Sequence, residues 1–234
     1  MQFSEQVLAK NHQYCIINKP AGQPVQPDKT GDISTMDMCK KYFHHDVYLV
    51  HRIDRPVSGL VLFAKNTRSA AWLSELFRSK ELDKTYLAIV ENEPPHTSGS
   101  LVSRIIEKKT GGNKSRIGEE NSANKGREAI TKYEVIGRTD KYTLLAIKPV
   151  TGRKHQIRAQ LAEAGCPIQG DVKYGARRGN KDRSIGLHAW RLSFTHPITG
   201  EIANFEAPLP NTNLWQACAE ILKGESWQTP TEQK

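Results

Sequence analysis

The chain contains 234 residues, of which 37% are hydrophobic, so it is long enough to bury one sizeable core. Its 34 Lys and Arg residues outnumber 25 Asp and Glu residues, and the formal net charge of +9 favours a polyanionic partner. The N-terminus has no basic region followed by an apolar stretch, and the longest apolar runs are too short to cross a bilayer. These features exclude a membrane-spanning or secreted protein, and we expect a soluble, cytoplasmic one.

The first elements are predicted from short apolar runs and their turn residues. Residues 14–18 form a β-branched run typical of a strand, which ends at a Lys-Pro-Ala-Gly turn over residues 19–22. Residues 35–43 are predicted to be a helix. Two apolar strands follow, at residues 47–50 and 60–64, and they enclose the segment on which our functional interpretation depends.

This segment, residues 51–59, reads His-Arg-Ile-Asp-Arg-Pro-Val-Ser-Gly. Charged side chains so near the centre of a sheet are costly unless they are paired or used. Asp54 stands between Arg52 and Arg55, whose guanidinium groups favour the ionised carboxylate. Two interpretations are open: Asp54 is a turn residue neutralised by its neighbours, or it is kept ionised to act as a nucleophile.

Beyond this segment, the strand leads into a helix that is capped by Asn66 or the next residue and ends near residue 80. A strand over residues 84–90 follows and contains Tyr86. Residues 107–128 differ from their surroundings, because they contain four glycines, six Lys or Arg residues and almost nothing apolar. We predict an exposed loop there, at the tip of a long hairpin. It is either a solvated insertion or a loop that closes over phosphates, and its charge favours the second.

Alternating and periodic patterns continue to the C-terminus. The predicted strands cover residues 129–136, 142–148, 189–195 and 201–207, and a closing helix covers residues 214–222. The four cysteines are Cys15, Cys39, Cys166 and Cys218. Their wide spacing, without a Cys-x-x-Cys pair, indicates neither a zinc site nor a disulfide framework, so we expect reduced thiols.

A further helix is predicted over residues 153–164, with Ile157 and Leu161 on its apolar face. Arg158 lies beside that face, so its guanidinium is expected to be partly buried. A buried arginine needs an acceptor, and Asp54 is the natural candidate.

The segment 51–59 resembles the His-Arg-Leu-Asp-x-x-Thr-Ser-Gly signature of the RluA family of RNA pseudouridine synthases, whose aspartate attacks the target nucleotide. Ile53 replaces the leucine and Val57 the threonine, and neither change touches the nucleophile. The catalytic loop of protein kinases has a similar string. Here, however, Ile53 separates Arg52 from the acid, and the chain lacks a Gly-rich phosphate loop and an Asp-Phe-Gly triplet.

Further segments match blocks of the same family in the same order, namely residues 18–22, 84–86, 151–158, 170–175 and 187–189. The resemblance implies three catalytic residues. Asp54 would be the nucleophile, Tyr86 would stack on the target base, with a proton-transfer role assigned to it in the family, and Arg158 would pair with Asp54. The resemblance implies that the substrate-binding residues are Arg52, Leu187, Lys19, Arg153, His155 and Gln156. The family commonly continues with Val-His where this chain has Ala159-Gln160.

The resemblance implies the pseudouridine synthase fold, an α+β architecture with a long, mainly antiparallel mixed sheet flanked by helices and a cleft across its middle. We expect one catalytic domain over residues 1–224, without an N-terminal RNA-binding domain, and a frayed tail over residues 225–234. The implied reaction isomerises uridine in RNA and requires no cofactor or metal. The expected partner is tRNA or rRNA, with a slight preference for tRNA or a compact stem-loop, and the protein is expected to be a monomer without an obligate protein partner.

The reaction requires a nucleotide that is flipped out of its stack, and we expect Arg52 to occupy the vacated space. Whether Asp54 attacks C1′ or takes the 2′ proton stays open. One rival is a non-catalytic RNA-binding or RNA-folding protein on the same scaffold, which would need phosphate contacts but no nucleophile. A weaker rival is a nucleosidase or glycosidase, whose usual second carboxylate has no candidate in a similar sequence context.

Overall fold

A computed structural model describes residues 2–106, 114–118 and 126–224. The strands are β1 (Val7–Lys10), β2 (Tyr14–Lys19), β3 (Tyr48–Leu49), β4 (Ser58–Ala64), β5 (Leu82–Val90), β6 (Ser98–Ile106), β7 (Arg116–Ile117), β8 (Arg127–Arg138), β9 (Thr143–Pro149), β10 (Leu187–Thr195) and β11 (Ile202–Glu206). The helices are α1 (Phe3–Gln6), α2 (Thr35–Phe43), α3 (Thr67–Ser79), α4 (Gln156–Glu163) and α5 (Asn213–Gly224), and a 3-10 turn covers Val172–Tyr174.

The eleven strands found in the described residues form one sheet, in the order β1-β2-β4-β10-β5-β9-β8-β6-β7. β3 pairs with β4, and β11 pairs with β10. Every pairing is antiparallel except that of β4 with β10, which is parallel and lies near the middle of the sheet. The predicted α+β class, with a long, mainly antiparallel mixed sheet, is therefore confirmed.

The core lies on both faces of the sheet, because successive strand residues point to opposite sides. Ile17 and Phe63 contribute to the cluster that α2 and α4 help to cover. Ile16 and Leu62 point the other way and pack with Leu73 of α3. All seven residues of β4 are buried, as expected for a central strand with structure on both faces. The start of β4 is therefore buried, whereas in the segment before it only Ile53 and Val57 are buried and Arg52 is exposed.

The parallel pair is held by residues of two of the sequence blocks described above. Gly59 has a φ of 107° and packs so closely on β10 that a Cβ there would lie 2.2 Å from the carbonyl oxygen of Ala189. Only glycine accommodates both the backbone conformation and this approach. Next to it, the Ser58 hydroxyl and His188 Nδ1 are 2.8 Å apart in a buried hydrogen bond. The end of segment 51–59 is thus locked to residues 187–189.

Three expectations about local structure need correction. The helix predicted from residue 153 begins at Gln156, because His155 has a left-handed φ of 55° and ends the preceding turn. The strand β6 was not predicted, since its residues are mostly exposed or half-buried and show no strong apolar alternation. Of the predicted loop 107–128, residues 107–113 and 119–125 lie outside the described residues. Its central part is not simply exposed, because β7 pairs with β6 and Ser115 is buried.

All four cysteines are buried and free. In the part of the chain that the structure describes, no helix has the length and apolar character needed to span a bilayer. The single-domain boundaries stay a prediction, and the predicted tail over residues 225–234 lies outside the described residues.

Candidate active site

A cavity of about 860 Å³ opens beside the start of β4 and extends along β5. This volume lies within the range of about 300 to 1,000 Å³ typical of small-ligand sites. Eight of the lining residues are Lys or Arg and two are Asp, so the cavity favours an anionic ligand. Of the nine residues expected at the site, eight line it, namely Asp54, Tyr86, Arg158, Arg52, Leu187, Arg153, His155 and Gln156.

Arg158 joins two carboxylates at the base of this cavity. Its Nη1 donates to Oδ2 of Asp54 at 3.0 Å. Its Nε and Nη2 donate to the two carboxylate oxygens of Asp171 at 2.7 and 2.8 Å, which is a bidentate pair. The expected contact between Arg158 and Asp54 is therefore present, but Asp171 was not predicted as a second acceptor. Asp171 takes two of the three hydrogen bonds, and Asp54 takes one.

The burial of the three groups explains this division. The Arg158 and Asp171 side chains are 6% and 2% exposed, whereas that of Asp54 is 20% exposed to the cavity. Burial alone would lower the pKa of the Arg158 guanidinium, but its hydrogen bonds and charge interactions with Asp171 and Asp54 outweigh burial and raise it. Asp171 therefore anchors a permanently charged guanidinium, and Asp54 keeps an open side toward a ligand.

Arg52 and Arg55, which flank Asp54 in segment 51–59, were expected to stabilise its ionised carboxylate. In the part of the chain that the structure describes, neither forms an ion pair with Asp54. Arg55 points away and donates to the carbonyl of Gly22 at 2.7 Å, and its guanidinium also pairs with Asp32. Arg52 is exposed at the cavity wall and makes no hydrogen bond to a described residue. The cation that contacts Asp54 comes instead from α4, about a hundred residues later in the chain.

Tyr174 completes the surroundings of Arg158. Its ring centre lies 4.9 Å from the guanidinium carbon, within the range of a cation–π contact. Its hydroxyl lies 2.9 Å from Nδ1 of His155 and accepts from the backbone N–H of Ser115 at 3.0 Å. Nε2 of His155 lies 3.8 Å from Oδ2 of Asp54. Tyr174 thus connects Ser115, in the described part of residues 107–128, through His155 to Asp54.

His155 is uncharged in this arrangement at neutral pH. Burial lowers the pKa of His155 to about 4, against the opposing effect of the Asp54 charge. Its contact with Asp54 is therefore not an ion pair near pH 7. Among the described residues, Arg158 therefore supplies the positive charge that contacts the Asp54 carboxylate.

Asp171 and Tyr174 were not predicted as site residues, although their block, residues 170–175, was noted. A signal for Asp171 was present in the chemistry of Arg158. A guanidinium carries five N–H donors, so one carboxylate that must also face a ligand cannot satisfy a buried arginine. Ser115 had no such signal, because nothing in its glycine-rich surroundings indicates burial.

Tyr86 and Leu187 approach the cavity from neighbouring strands. Tyr86 lies in β5 opposite Ala189 of β10, and Leu187 begins β10. Burial raises the pKa of the Tyr86 hydroxyl, and the charge of Asp54 raises it further. Tyr86 is therefore protonated at neutral pH and presents an uncharged ring with a hydroxyl donor.

Gln156 and Arg153 mainly shape the turn before α4. The Gln156 side chain accepts from the Thr151 hydroxyl and the Arg153 backbone N–H, at 2.8 and 3.0 Å. It also donates to the carbonyl of Ile130 and the hydroxyl of Thr131. With its amide oxygen and nitrogen so engaged, Gln156 positions the turn. Arg153 donates through Nε to the carbonyl of Glu128 at 3.1 Å and also lines the cavity.

Lys19 is the expected substrate-binding residue that does not line the cavity, and this assignment needs correction. Its side chain is fully buried, and Nζ donates to the carbonyls of Pro20, Gln23 and Arg55 at 2.8, 2.9 and 3.2 Å. Burial lowers the pKa of Lys19 to about 7, although the charge of Asp54 favours the ammonium. Lys19 therefore ties the 19–23 turn to the backbone beside Asp54 and cannot reach a ligand.

Replacing Lys19 with methionine tests this structural role. The variant keeps an unbranched apolar side chain but leaves the carbonyls of Pro20 and Gln23 without a described donor, at a cost of about 1 to 3 kcal/mol each. We expect a clear loss of unfolding free energy in urea. Lys29→Met, at an exposed lysine nearby, is the matched control. A Lys19→Met variant within about 0.5 kcal/mol of wild type would contradict the role.

A cationic cavity around a carboxylate that is fixed by a buried arginine is typical of an enzyme that acts on a polyanionic substrate.

The family model for RNA pseudouridylate synthase matches residues 13–163. The chain is 35% identical over 213 residues to the ribosomal large subunit pseudouridine synthase C of Rickettsia bellii, with 89% of this chain and 69% of that protein covered. It is 31% identical over 220 residues to the tRNA pseudouridine synthase C of Haemophilus ducreyi, with 82% and 86% covered.

A solved structure, human RNA pseudouridylate synthase domain containing 4, superposes with a TM-score of 0.75 at 26% identity and covers 94% of each chain. The chain belongs to the RNA pseudouridylate synthase family, whose members are isomerases. It spans 64 to 69% of the length of the first curated relatives that it matches.

Proposed function

We propose that this chain converts specific uridines in structured RNA, tRNA or rRNA, to pseudouridine, with Asp54 acting on a flipped-out nucleotide. One observation carries the proposal. Asp54 is held at 3.0 Å by a buried arginine while its carboxylate stays partly open to a strongly basic cavity. A carboxylate fixed in one orientation next to a permanent cation is ready to react and needs little reorganisation.

The reaction is an isomerisation in which atoms balance without any co-reactant. The bond between base N1 and ribose C1′ breaks, the base rotates, and C5 bonds to C1′. C5 then loses its proton to solvent and N1 gains one. Asp54 is regenerated at the end, whether it has bonded to C1′ or has removed and returned the 2′ proton.

The other cavity residues have roles that follow from their chemistry. Tyr86 offers an uncharged ring on which the released base can stack, and Leu187 adds an apolar contact. Arg158 holds Asp54 as the carboxylate changes charge. Arg52, exposed at the wall, is suited to occupy the space that the flipped nucleotide leaves in its RNA stack.

A non-catalytic RNA-binding protein on this scaffold is the alternative. Phosphate contacts would account for the basic lining but would not need a buried Arg158 clamped by Asp171 behind Asp54. A glycosidase would require a second carboxylate placed across from Asp54 for acid–base work. The other acid that lines the cavity, Asp83, is exposed.

The purified protein should release tritium from RNA carrying uridine labelled at C5, because that position loses its proton. Pseudouridine mapping of total RNA from a deletion strain should then show which site loses its modification. The substrate is C5-labelled RNA from the deletion strain, in which the target uridine is unmodified. The control is labelled RNA in which the target site is already pseudouridine. RNA binding without tritium release from any tRNA or rRNA would favour the non-catalytic alternative.

A further inference from the structure

A second basic surface lies outside the cavity, in the loop of residues 176–184. It reads Ala-Arg-Arg-Gly-Asn-Lys-Asp-Arg-Ser and follows directly on the turn that carries Tyr174. Arg177, Arg178, Lys181 and Arg183 are exposed, and none of them lines the cavity. We call this segment the 176–184 loop.

The charges of the 176–184 loop are not balanced by the fold. Its one acid, Asp182, accepts from the backbone N–H and the hydroxyl of Ser184 at 3.0 and 2.7 Å. Arg177 has a distant carboxylate partner, Glu91, at 3.9 Å. Arg178, Lys181 and Arg183 form no ion pair with any residue that the structure describes. Three neighbouring cations without a partner repel one another, so the loop favours an anionic ligand.

The 176–184 loop is braced from within. The Asn180 amide donates to the carbonyl and hydroxyl of Ser184 at 3.0 and 3.1 Å and accepts from Gln169 at 2.7 Å. The backbone N–H of Arg183 donates to the carbonyl of Asn180 at 3.0 Å. Cations on a braced backbone lose less conformational entropy when they bind than cations on an unstructured segment. The exposed cations of the loop therefore project from a hydrogen-bonded backbone.

Its position connects it to the active site. The backbone N–H of Ile185, immediately after the loop, donates to the carbonyl of Pro56 at 3.2 Å, two residues from Asp54. At the other end, the backbone N–H of Arg177 donates to the Glu91 carboxylate. Glu91 is five residues beyond Tyr86 along the strand direction, which corresponds to about 17 Å. The loop thus extends from the catalytic segment away from the place of the target base.

We propose that the 176–184 loop binds the phosphate backbone of a double-stranded part of the same RNA, away from the target nucleotide. This inference rests on the proposed function. The loop contains no aromatic residue, whereas single-stranded RNA is typically held by bases stacked on aromatic side chains. Contacts restricted to phosphates suit a duplex, whose bases are hidden and whose backbone is regular.

The test removes charge but keeps a polar, unbranched side chain at each position and leaves the bracing residue Asn180 unchanged. The loop variant combines Arg178→Gln, Lys181→Gln and Arg183→Gln. The control variant combines Lys41→Gln, Arg68→Gln and Lys141→Gln, three exposed residues that neither line the cavity nor pair with described acids. Both variants lose the same net charge, so a general electrostatic effect would change them equally.

Affinity for a fully paired RNA duplex is measured over a range of salt concentrations. Each lost phosphate contact flattens the slope of log K against log salt by about 0.7 to 0.9, so we expect the loop variant to lose about 2 to 3 units. The control slope should stay close to that of wild type. Equal slopes in the two variants, or a larger loss with a single-stranded RNA than with the duplex, would overturn the proposal.

A kinetic readout separates docking from catalysis. With intact RNA, the loop variant should show a raised KM and a nearly unchanged kcat, and with a target stem-loop whose stem is too short to reach the 176–184 loop both parameters should match wild type. A fall in kcat on the stem-loop would mean that the loop acts through Pro56 on the catalytic segment, which would overturn docking. If wild type releases no tritium, the proposed function fails, but the salt slopes still decide whether the loop binds duplex RNA.

Discussion

Asp54→Asn should abolish pseudouridine formation while leaving RNA affinity within a few fold of wild type. The substitution keeps the size of the side chain and its contact with Arg158, but it removes the charge that would react with the sugar. It also removes little binding surface, since the lining cations remain. Tritium release at saturating RNA measures the chemistry, and filter binding at fixed salt measures the affinity.

Asp83→Asn is the matched control, because it removes the other lining carboxylate by the same chemical change. We expect this variant to keep most of its activity, since Asp83 is exposed and Arg158 pairs with Asp54 and Asp171 instead. Activity near wild type in Asp54→Asn would contradict the assignment of Asp54 as the nucleophile and favour the non-catalytic alternative. Loss of RNA affinity together with activity would instead indicate that Asp54 organises the binding surface.

Arg158→Met should destabilise the protein strongly and remove activity. The methionine keeps the apolar stem, but Asp171 is then a carboxylate that is 2% exposed and has lost both hydrogen bonds to its cation. Stranding one partner of a buried ion pair typically costs about 3 to 5 kcal/mol. Urea denaturation measures the loss of unfolding free energy, and tritium release measures the loss of activity.

Two double variants show which carboxylate depends more on Arg158. Adding Asp171→Asn removes the stranded buried charge, so much of the stability should return, with a coupling energy on the order of 1 to 3 kcal/mol in a denaturation cycle. Adding Asp54→Asn should restore less, because the Asp54 side chain is 20% exposed and can be hydrated through the cavity. Both double variants should stay inactive. A larger coupling with Asp54 than with Asp171 would contradict the division of hydrogen bonds described above.

The elements of the central sheet could be predicted because their residues carry the pattern locally. β2 and β4 each contain a continuous apolar run, α2 coincides with the predicted helix, and Asn66 caps α3 by accepting from the backbone N–H of Ser69. The sequence blocks also indicated which residues share one site, and eight of the nine expected residues line one cavity. Their catalytic roles stay predictions.

What the sequence did not indicate depends on contacts between distant parts of the chain. β6 is mostly exposed or half-buried, so its identity as a strand comes from pairing with β8 and not from its own residues. The same holds for Ser115, which is buried only because Tyr174 and the carbonyl of Lys154 lie beside it. Local composition carries no trace of such partners.

The sequence by itself indicated that Asp54, Tyr86 and Arg158 belong to one site, because each lies in a segment that resembles a block of the same family. Only the tertiary structure decided how the charges are shared. It turned Arg55 toward Gly22, buried Lys19 beneath the turn, and gave Arg158 a second carboxylate in Asp171. The physical reason is that the pairing of a buried charge depends on distance and burial in space, and neither is set by neighbours along the chain.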